Sequence, residues 1–274
     1  MCGIVGAVAE RNVVPILMEG LRRLEYRGYD SAGIAVMDDK AINRIRCLGK
    51  VQKLESVLNE NQLQGITGIS HTRWATHGIP SENNAHPHMS AQTIAIVHNG
   101  IIENHQELRE DLQKLGFKFE SQTDTEIIAH RIQHYFKDTN DFPAAARATV
   151  TELEGAYALA VMNIEDPHTL VVARAGCPVI IGLGIGENFV ASDVAALLPV
   201  TRKFVFLDEG DVAVMRRDDV TIYDRYGEET ERPIKESELS ADAAERGKFR
   251  HYMQKEIHEQ AAAISRTIEN RIKN

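Results

Sequence analysis

At 274 residues, 43% of them hydrophobic, the chain can bury a sizeable core as one large domain or as one domain plus an appendage, and it is too long to be only a short binding module. Its 31 Lys and Arg against 40 Asp and Glu leave a formal net charge of −9, with no block of basic residues. That argues against a nucleic-acid or anionic-membrane surface and makes small-molecule chemistry the default. Three widely spaced cysteines, Cys2, Cys47 and Cys177, suggest neither a disulfide framework nor a CxxC metal pair. No apolar run approaches the roughly 20 residues that span a bilayer, and the N-terminus lacks a basic region followed by an apolar stretch, so a cytoplasmic protein is expected.

The chain opens on Cys2-Gly3-Ile4-Val5-Gly6-Ala7-Val8, a reactive residue type placed at the end of an apolar strand. If Met1 is trimmed, the thiol of Cys2 and a free α-amine share one residue. Their reference pKa values, roughly 8.5 and about 7.7–8.0, let the amine accept the thiol proton near neutrality. A thiol paired with an N-terminal amine is a known form of activated nucleophile. Asn12 to Tyr26 then carries Val13, Ile16, Leu17, Leu21 and Leu24 at helical spacing, with Pro15 where a first turn tolerates it. The loop Tyr26 to Gly33 holds Arg27, Gly28 and Asp30; the two charges either pair with each other or line a pocket.

A strand Gly33 to Met37, another at Ile42 to Leu48 and a helix Val51 to Glu60 read as scaffold. A strand near Gly65 to His71 leads into His71-Thr72-Arg73-Trp74-Ala75-Thr76-His77-Gly78, where an Arg fork suits a carboxylate and the single tryptophan suits a cavity cover. The bland alternative is a buried Trp beside a satisfied Arg–Asp pair. His86 and His88 flank Pro87, which is expected to hold the two imidazoles apart in an extended segment, so no metal site is expected even with His98 nearby. Thr93 to His98 reads as a strand, and Asn99-Gly100 as a strand-to-helix junction whose amide and N–H are two donors aimed at one point, an oxyanion-hole arrangement; the alternative is an ordinary Asn-Gly turn. Helices are predicted over Asn104 to Leu115, Asp124 to Phe136 and Pro143 to Leu153. Thr123 or Asp124 caps the middle one, unless the Asp124 carboxylate captures an ammonium group. From Gly155 seven short strands follow, apolar on both faces, so the sheets must be covered on both sides and α+β is favoured. Gly227 to Arg250 is densely charged and reads as an exposed linker. Met253, Ile257, Ile264, Ile268 and Ile272 then form an apolar helical stripe that needs burying.

Five stretches taken together, Cys2-Gly3-Ile4-Val5-Gly6, Tyr26 to Gly33, His71 to Gly78, His98 to Asn104 and Thr123-Asp124-Thr125-Glu126, closely resemble the class-II, N-terminal-nucleophile amidotransferases. The Glu25-Tyr26-Arg27-Gly28-Tyr29-Asp30 form of the loop resembles the glucosamine-6-phosphate synthase family rather than the purine-pathway amidotransferases. The resemblance implies an α+β fold, a four-layer αββα sandwich of N-terminal-nucleophile hydrolase type, with a C-terminal charged linker and helix. It implies a glutaminase domain at residues 2–226, a linker at 227–250 and, at 251–274, the start of a sugar-isomerase domain whose remainder is missing. The implied substrate is L-glutamine. Cys2 attacks its side-chain amide, and Asn99 Nδ2 with the Gly100 N–H holds the oxyanion. Arg73 takes the α-carboxylate and Asp124 the α-ammonium. The Thr76–His77 backbone completes the pocket, Arg27 and Gly28 belong to the adjoining loop, and Trp74 resembles a gate toward an ammonia channel. No cofactor is implied, and neither a nucleic acid nor a membrane is a partner. Fructose-6-phosphate enters only through the missing domain, and a homodimer is expected of the full-length enzyme. The rivals are another class-II amidotransferase with a different acceptor, a catalytically idle glutamine-binding regulatory domain and a metal-dependent hydrolase.

Overall fold

The computed structural model describes residues 2–38, 41–238, 249 and 252–269, which fall into two compact units divided after Glu238. In the first unit, β1 (Gly3–Val8) is buried at every residue, because its Ile, Val and Ala side chains are apolar on both faces. It lies antiparallel between β10 (Asn188–Ala191) and β4 (Thr67–Arg73). The first sheet runs in the order β15 (Ile234–Glu236), β11 (Lys203–Phe206), β9 (Ile180–Leu183), β10, β1, β4, β2 (Ser31–Met37) and β3 (Ile42–Leu48). The second runs β14 (Glu229–Thr230), β13 (Val220–Tyr223), β12 (Val212–Arg216), β8 (Asp166–Ala175), β7 (Gly155–Asn163), β6 (Ile94–Ile102) and β5 (His88–Ser90).

Strand alternation builds the layers. In β6, Ala95 and Val97 point into a core shared with Ile4, Val8, Ile69 and Val190 of the other sheet. Ile94 and Ile96 point the opposite way, to a second core with Leu108, Leu112, Ile127, Ile128 and Ile132 from α3 (His105–Lys114) and α4 (Thr125–Thr139), and with Phe142 of α5 (Phe142–Val150). On the far side of the first sheet, α1 (Val14–Leu24) packs on β1 and β4, and α2 (Val51–Asn61) packs on β3 and β2. The approach of α1 is close: a Cβ on Gly20 would lie 2.8 Å from the Val5 side chain. The result is the expected four-layer αββα sandwich.

Three short strands escaped the sequence reading. The stretch Gly227 to Glu238, predicted as linker from its charge, supplies β14 and β15, which pair at the rims of the two sheets. Edge strands carry charge because one of their two flanks stays in water, so charge density there does not mean irregular chain. Strand β5 has only three residues and follows the histidine segment directly. In the second unit, α6 (Tyr252–Glu269) forms where predicted, with Met253, Ile257 and Ile264 exposed. Ile272, the side chain of Ile268, and positions 239–248 and 250 of the predicted linker lie outside the described residues.

Glu126, in the first turn of α4, ties down the segment that precedes it. Its carboxylate accepts the Glu120 N–H at 2.8 Å, the Ser121 N–H at 2.7 Å and the Ser121 hydroxyl at 2.6 Å. Burial alone would raise this carboxyl, but hydrogen bonds from His130, Glu120 and Ser121 outweigh it and hold the pKa down to about 2. A carboxyl held lower in the folded chain than in the unfolded one contributes stability above the unfolded pKa and loses it as pH falls through the folded one. Glu126→Gln is therefore expected to lower the denaturant midpoint near neutrality, with the gap to the native chain closing between about pH 4.5 and pH 2. A gap of constant size across that range would show that the carboxylate charge carries none of it.

Candidate active site

Cys2 immediately precedes β1, and the register that pairs Gly3 with Thr72 sets it beside Arg73 and Trp74 at the end of β4. The backbone N–H of Trp74 donates to Cys2 Sγ at 3.1 Å. Burial pushes the thiol pKa up, opposed by that hydrogen bond and by the charge of Arg73. The resting sulfur is therefore held as a thiol and needs a base to become a nucleophile.

A narrow crevice opens beside Cys2, lined by Arg73, Trp74, Thr76, His77, His86, His98, Gly100, Thr123, Asp124 and Thr125. Arg73 and Asp124 are both buried, each 3% exposed. Arg73 Nη2 donates to the His77 carbonyl and, at 3.3 Å, to that of Gly78, which folds the 74–78 loop back over the strand end. Its Nη1 lies 3.8 Å from Asp30 Oδ1 but has no hydrogen-bond partner among the described residues. Asp124 sits at the predicted cap position of α4 yet makes no capping hydrogen bond to that helix. Instead Oδ2 accepts the Ile102 N–H at 2.9 Å and lies 4.0 Å from Nδ1 of both His77 and His98. A cation and an anion thus share one small cavity without spending their charge on each other.

Unpaired polar atoms gather here. Of seven buried side-chain polar atoms without a partner among the described residues, five belong to His71, Thr72, Arg73, His77 and His98. Buried polar groups are normally satisfied, so the three of these atoms that belong to residues lining the crevice, Arg73 Nη1, His77 Nδ1 and His98 Nε2, mark surface shaped for a polar ligand rather than for the fold. Together with an exposed Trp74, at 55%, they disfavour the reading of a buried Trp beside a satisfied ion pair.

On the other side of Cys2 lies a second cavity of about 390 Å³, lined by Arg27, Trp74, Thr76, Asn99, Gly100, Ile101, Cys177 and Pro178. Cys2, Trp74, Thr76 and Gly100 line both. Asn99 Nδ2 donates to the Cys2 carbonyl at 3.3 Å. Asn99 and Gly100 lie within β6, not at a strand-to-helix junction as predicted, because the strand continues to Ile102. The tell-tale is Gly100 itself, at φ +129°, where a Cβ would sit 1.9 Å from the Ala156 carbonyl oxygen of β7. Glycine here permits a close strand contact rather than a turn.

The Arg27 loop differs from one sequence option. Arg27 does not pair with Asp30: its Nη2 meets Asp193 Oδ2 at 2.5 Å and its Nη1 reaches the Cys2 carbonyl at 3.4 Å. Asp30 instead accepts the Ala75 N–H at 2.6 Å and the Ser31 hydroxyl at 2.9 Å, bracing the loop that carries Trp74. Gly28, at φ +74°, lies under the indole, and a Cβ there would come 2.8 Å from Trp74 Cζ3. The loop thus shapes the floor on which Trp74 rests.

The histidines also depart from expectation. The rings of His86 and His88 stand edge to face with centroids 4.8 Å apart, and His86 stacks on His71 at 4.1 Å, so they cluster instead of pointing away. Hydrogen bonds occupy them: His86 Nδ1 accepts the His98 N–H at 3.3 Å, and His88 Nε2 contacts Thr123 Oγ1 at 3.0 Å. Burial lowers His86 and His98 and pushes His88 down to about 3, so this layer stays neutral near pH 7. Sequence reasoning missed His71 and Asp193 as neighbours of the site. His71 was visible as part of a dense cluster, whereas nothing local announced Asp193, which comes from the end of β10.

Residues 71–199, a stretch that includes Arg73, Asn99, Gly100 and Asp124, match the family model described as a glutamine amidotransferase domain. Over that stretch the chain resembles a glutamine amidotransferase domain. Over all 274 residues it is 59% identical to the glutamine–fructose-6-phosphate aminotransferase (isomerizing) of Shewanella oneidensis, covering 100% of this chain and 45% of that protein. It is also 59% identical, over 273 residues, to the enzyme of the same name from Haemophilus influenzae, with 99% and 45% covered. The chain therefore spans less than half the length of these curated relatives. Among solved structures, the glutamine phosphoribosylpyrophosphate amidotransferase of B. subtilis superposes on this chain with a TM-score of 0.71 at 24% identity, covering 82% of this chain and 49% of that one. That likeness confirms the sandwich fold. No helix among the described residues is long and apolar enough to cross a membrane.

Proposed function

We propose that the chain hydrolyses L-glutamine to glutamate and ammonia through a thioester on Cys2. The observation that carries this reading is the shared crevice: a thiol, a buried guanidinium and a buried carboxylate border one narrow space, whose opposite charges suit the two charged ends of an amino acid. Arg73 takes the α-carboxylate, Asp124 the α-ammonium, and the Thr76–His77 segment closes the pocket between them. Once Met1 is removed, the Cys2 α-amine accepts the thiol proton as sulfur attacks the side-chain carbonyl carbon. Asn99 Nδ2 and the Gly100 N–H receive the negative charge that develops on oxygen. Collapse of the tetrahedral adduct expels ammonia, which carries off the proton held by the amine, and leaves a γ-glutamyl thioester. Water then gives a proton to the amine and attacks the thioester, and the thiol recovers that proton as glutamate leaves.

In the whole protein the ammonia passes to fructose-6-phosphate to give glucosamine-6-phosphate; the names and greater length of the close relatives support this assignment. On this reading the sandwich unit, which runs to Glu238, is the glutaminase domain, and 251–274 is the entry to the sugar-isomerase half, which brings the homodimer. On the same reading Trp74, which lines both cavities beside Cys2, is the gate for the ammonia released there.

Glutamate release by the full chain tests the reading, with Asp124→Asn as the informative variant. It keeps an oxygen for the Ile102 N–H but removes the charge. KM for glutamine should rise by about 30-fold or more, the lower end of the roughly 2–5 kcal/mol lost when one partner of a buried charge pair is removed. An unchanged KM would remove Asp124 from the substrate site.

A further inference from the structure

His71 has no part in the reaction as derived so far. It sits in β4 opposite Ile4 and Gly33, wholly buried, with its ring reaching across to the second sheet. Its Nε2 lies 2.9 Å from Asn99 Oδ1 and 3.0 Å from the His98 carbonyl oxygen. A backbone carbonyl can only accept, so the ring nitrogen it shares must carry the hydrogen. That same N–H faces the Asn99 side chain and calls for the amide oxygen there, which leaves the amide NH2 turned toward Cys2. The ring is held for this task. It stacks on His86 with 15° between planes, and burial pushes its pKa down to about 3, so it stays neutral near pH 7. Its Nδ1 makes no hydrogen bond among the described residues.

We propose that His71 is a positioning residue: by donating Nε2–H to Asn99 Oδ1, it fixes which end of the Asn99 amide faces the nucleophile. The inference rests on the glutaminase reading. The two ends of a carboxamide are nearly equal in size, so shape alone does not choose between them. Reversed, the amide would present oxygen lone pairs to the developing oxyanion and repel the charge it should receive. His71 thus acts through Asn99 and touches no substrate.

The test is a double-mutant cycle on glutamate release by the full chain, using His71→Ala, His71→Gln, Asn99→Ala and the His71→Ala/Asn99→Ala pair. His71→Ala should lower kcat by about 10- to 100-fold while KM stays within about threefold, the pattern of a lost transition-state contact. His71→Gln, whose amide NH2 can stand in for Nε2–H, should recover most of that loss. In the Asn99→Ala background, removing His71 should cost less than about twofold, since the group it positions is gone. The inference is overturned if the two losses multiply, if His71→Gln is as slow as His71→Ala, or if the loss falls in KM. Should His71→Ala fail to fold, the His71→Gln variant made in native and Asn99→Ala backgrounds gives the same comparison: any loss it shows must vanish when Asn99 is absent, and a loss that persists overturns the inference. A native chain that releases no glutamate would instead overturn the glutaminase reading itself, so the two failures are told apart.

Discussion

Cys2→Ala is expected to lower glutamate release by on the order of 10⁴-fold or more, with the fold and the glutamine site intact. Alanine removes only the sulfur. The residue sits at the mouth of β1, not inside the apolar core, and its backbone carbonyl remains to receive Arg27 and Asn99. Glutamine binding should survive, because Arg73 and Asp124 are held by their own neighbours, the 77–78 carbonyls and the Ile102 N–H. Isothermal titration of glutamine against the variant, beside the kinetic assay, separates lost chemistry from lost binding. Substantial remaining turnover would transfer the chemistry to another group, and the neutral histidine layer would then be the first place to look for an activated water.

Asn99→Ala should cost on the order of 10²–10³ in kcat, the usual effect of deleting one oxyanion donor. Asn99→Asp is the sharper companion. It keeps an oxygen to accept His71 Nε2–H, but sets a second oxygen, negatively charged, where an N–H donor should meet the developing anion. It should be at least as slow as Asn99→Ala. If both variants change KM alone, Asn99 belongs to substrate binding and the oxyanion must be held elsewhere.

Much of this arrangement was legible in the chain. Continuous burial in β1 and from Ile94 to Asn99 of β6 follows from strands that are apolar on both faces, and it dictates two covered sheets. The site was legible where one short segment carried both chemistry and geometry: Arg73, Trp74, Thr76 and His77 lie within five residues, and Asp124 begins a helix whose cap it does not make. What escaped depends on distant partners. Arg27 passes over Asp30, three residues away, for Asp193, 166 residues on, because β10 lies next to β1. Asn99-Gly100 looks like a turn in isolation, and only the approach of Ala156 from β7 shows that the glycine serves a strand. His71 gave no period or spacing signal at all; its importance is a tautomer argument that needs both His98 and Asn99 in view. The charged rim strands β14 and β15 were read as linker because solvent-facing edges and loops share a composition.

The decisive measurement is peptide mass spectrometry of the full chain after reaction with an electrophilic glutamine analogue bearing a diazoketone in place of the amide. The nucleophile is proposed to be the thiol of the first residue of the processed chain, with its own amine as base. The expected product is a single adduct on the sulfur of Cys2, on a chain that lacks Met1, formed in step with loss of glutamate release and prevented by excess glutamine. An adduct on Cys47 or Cys177 with Cys2 unmodified, or full activity in a chain that retains Met1, would contradict it.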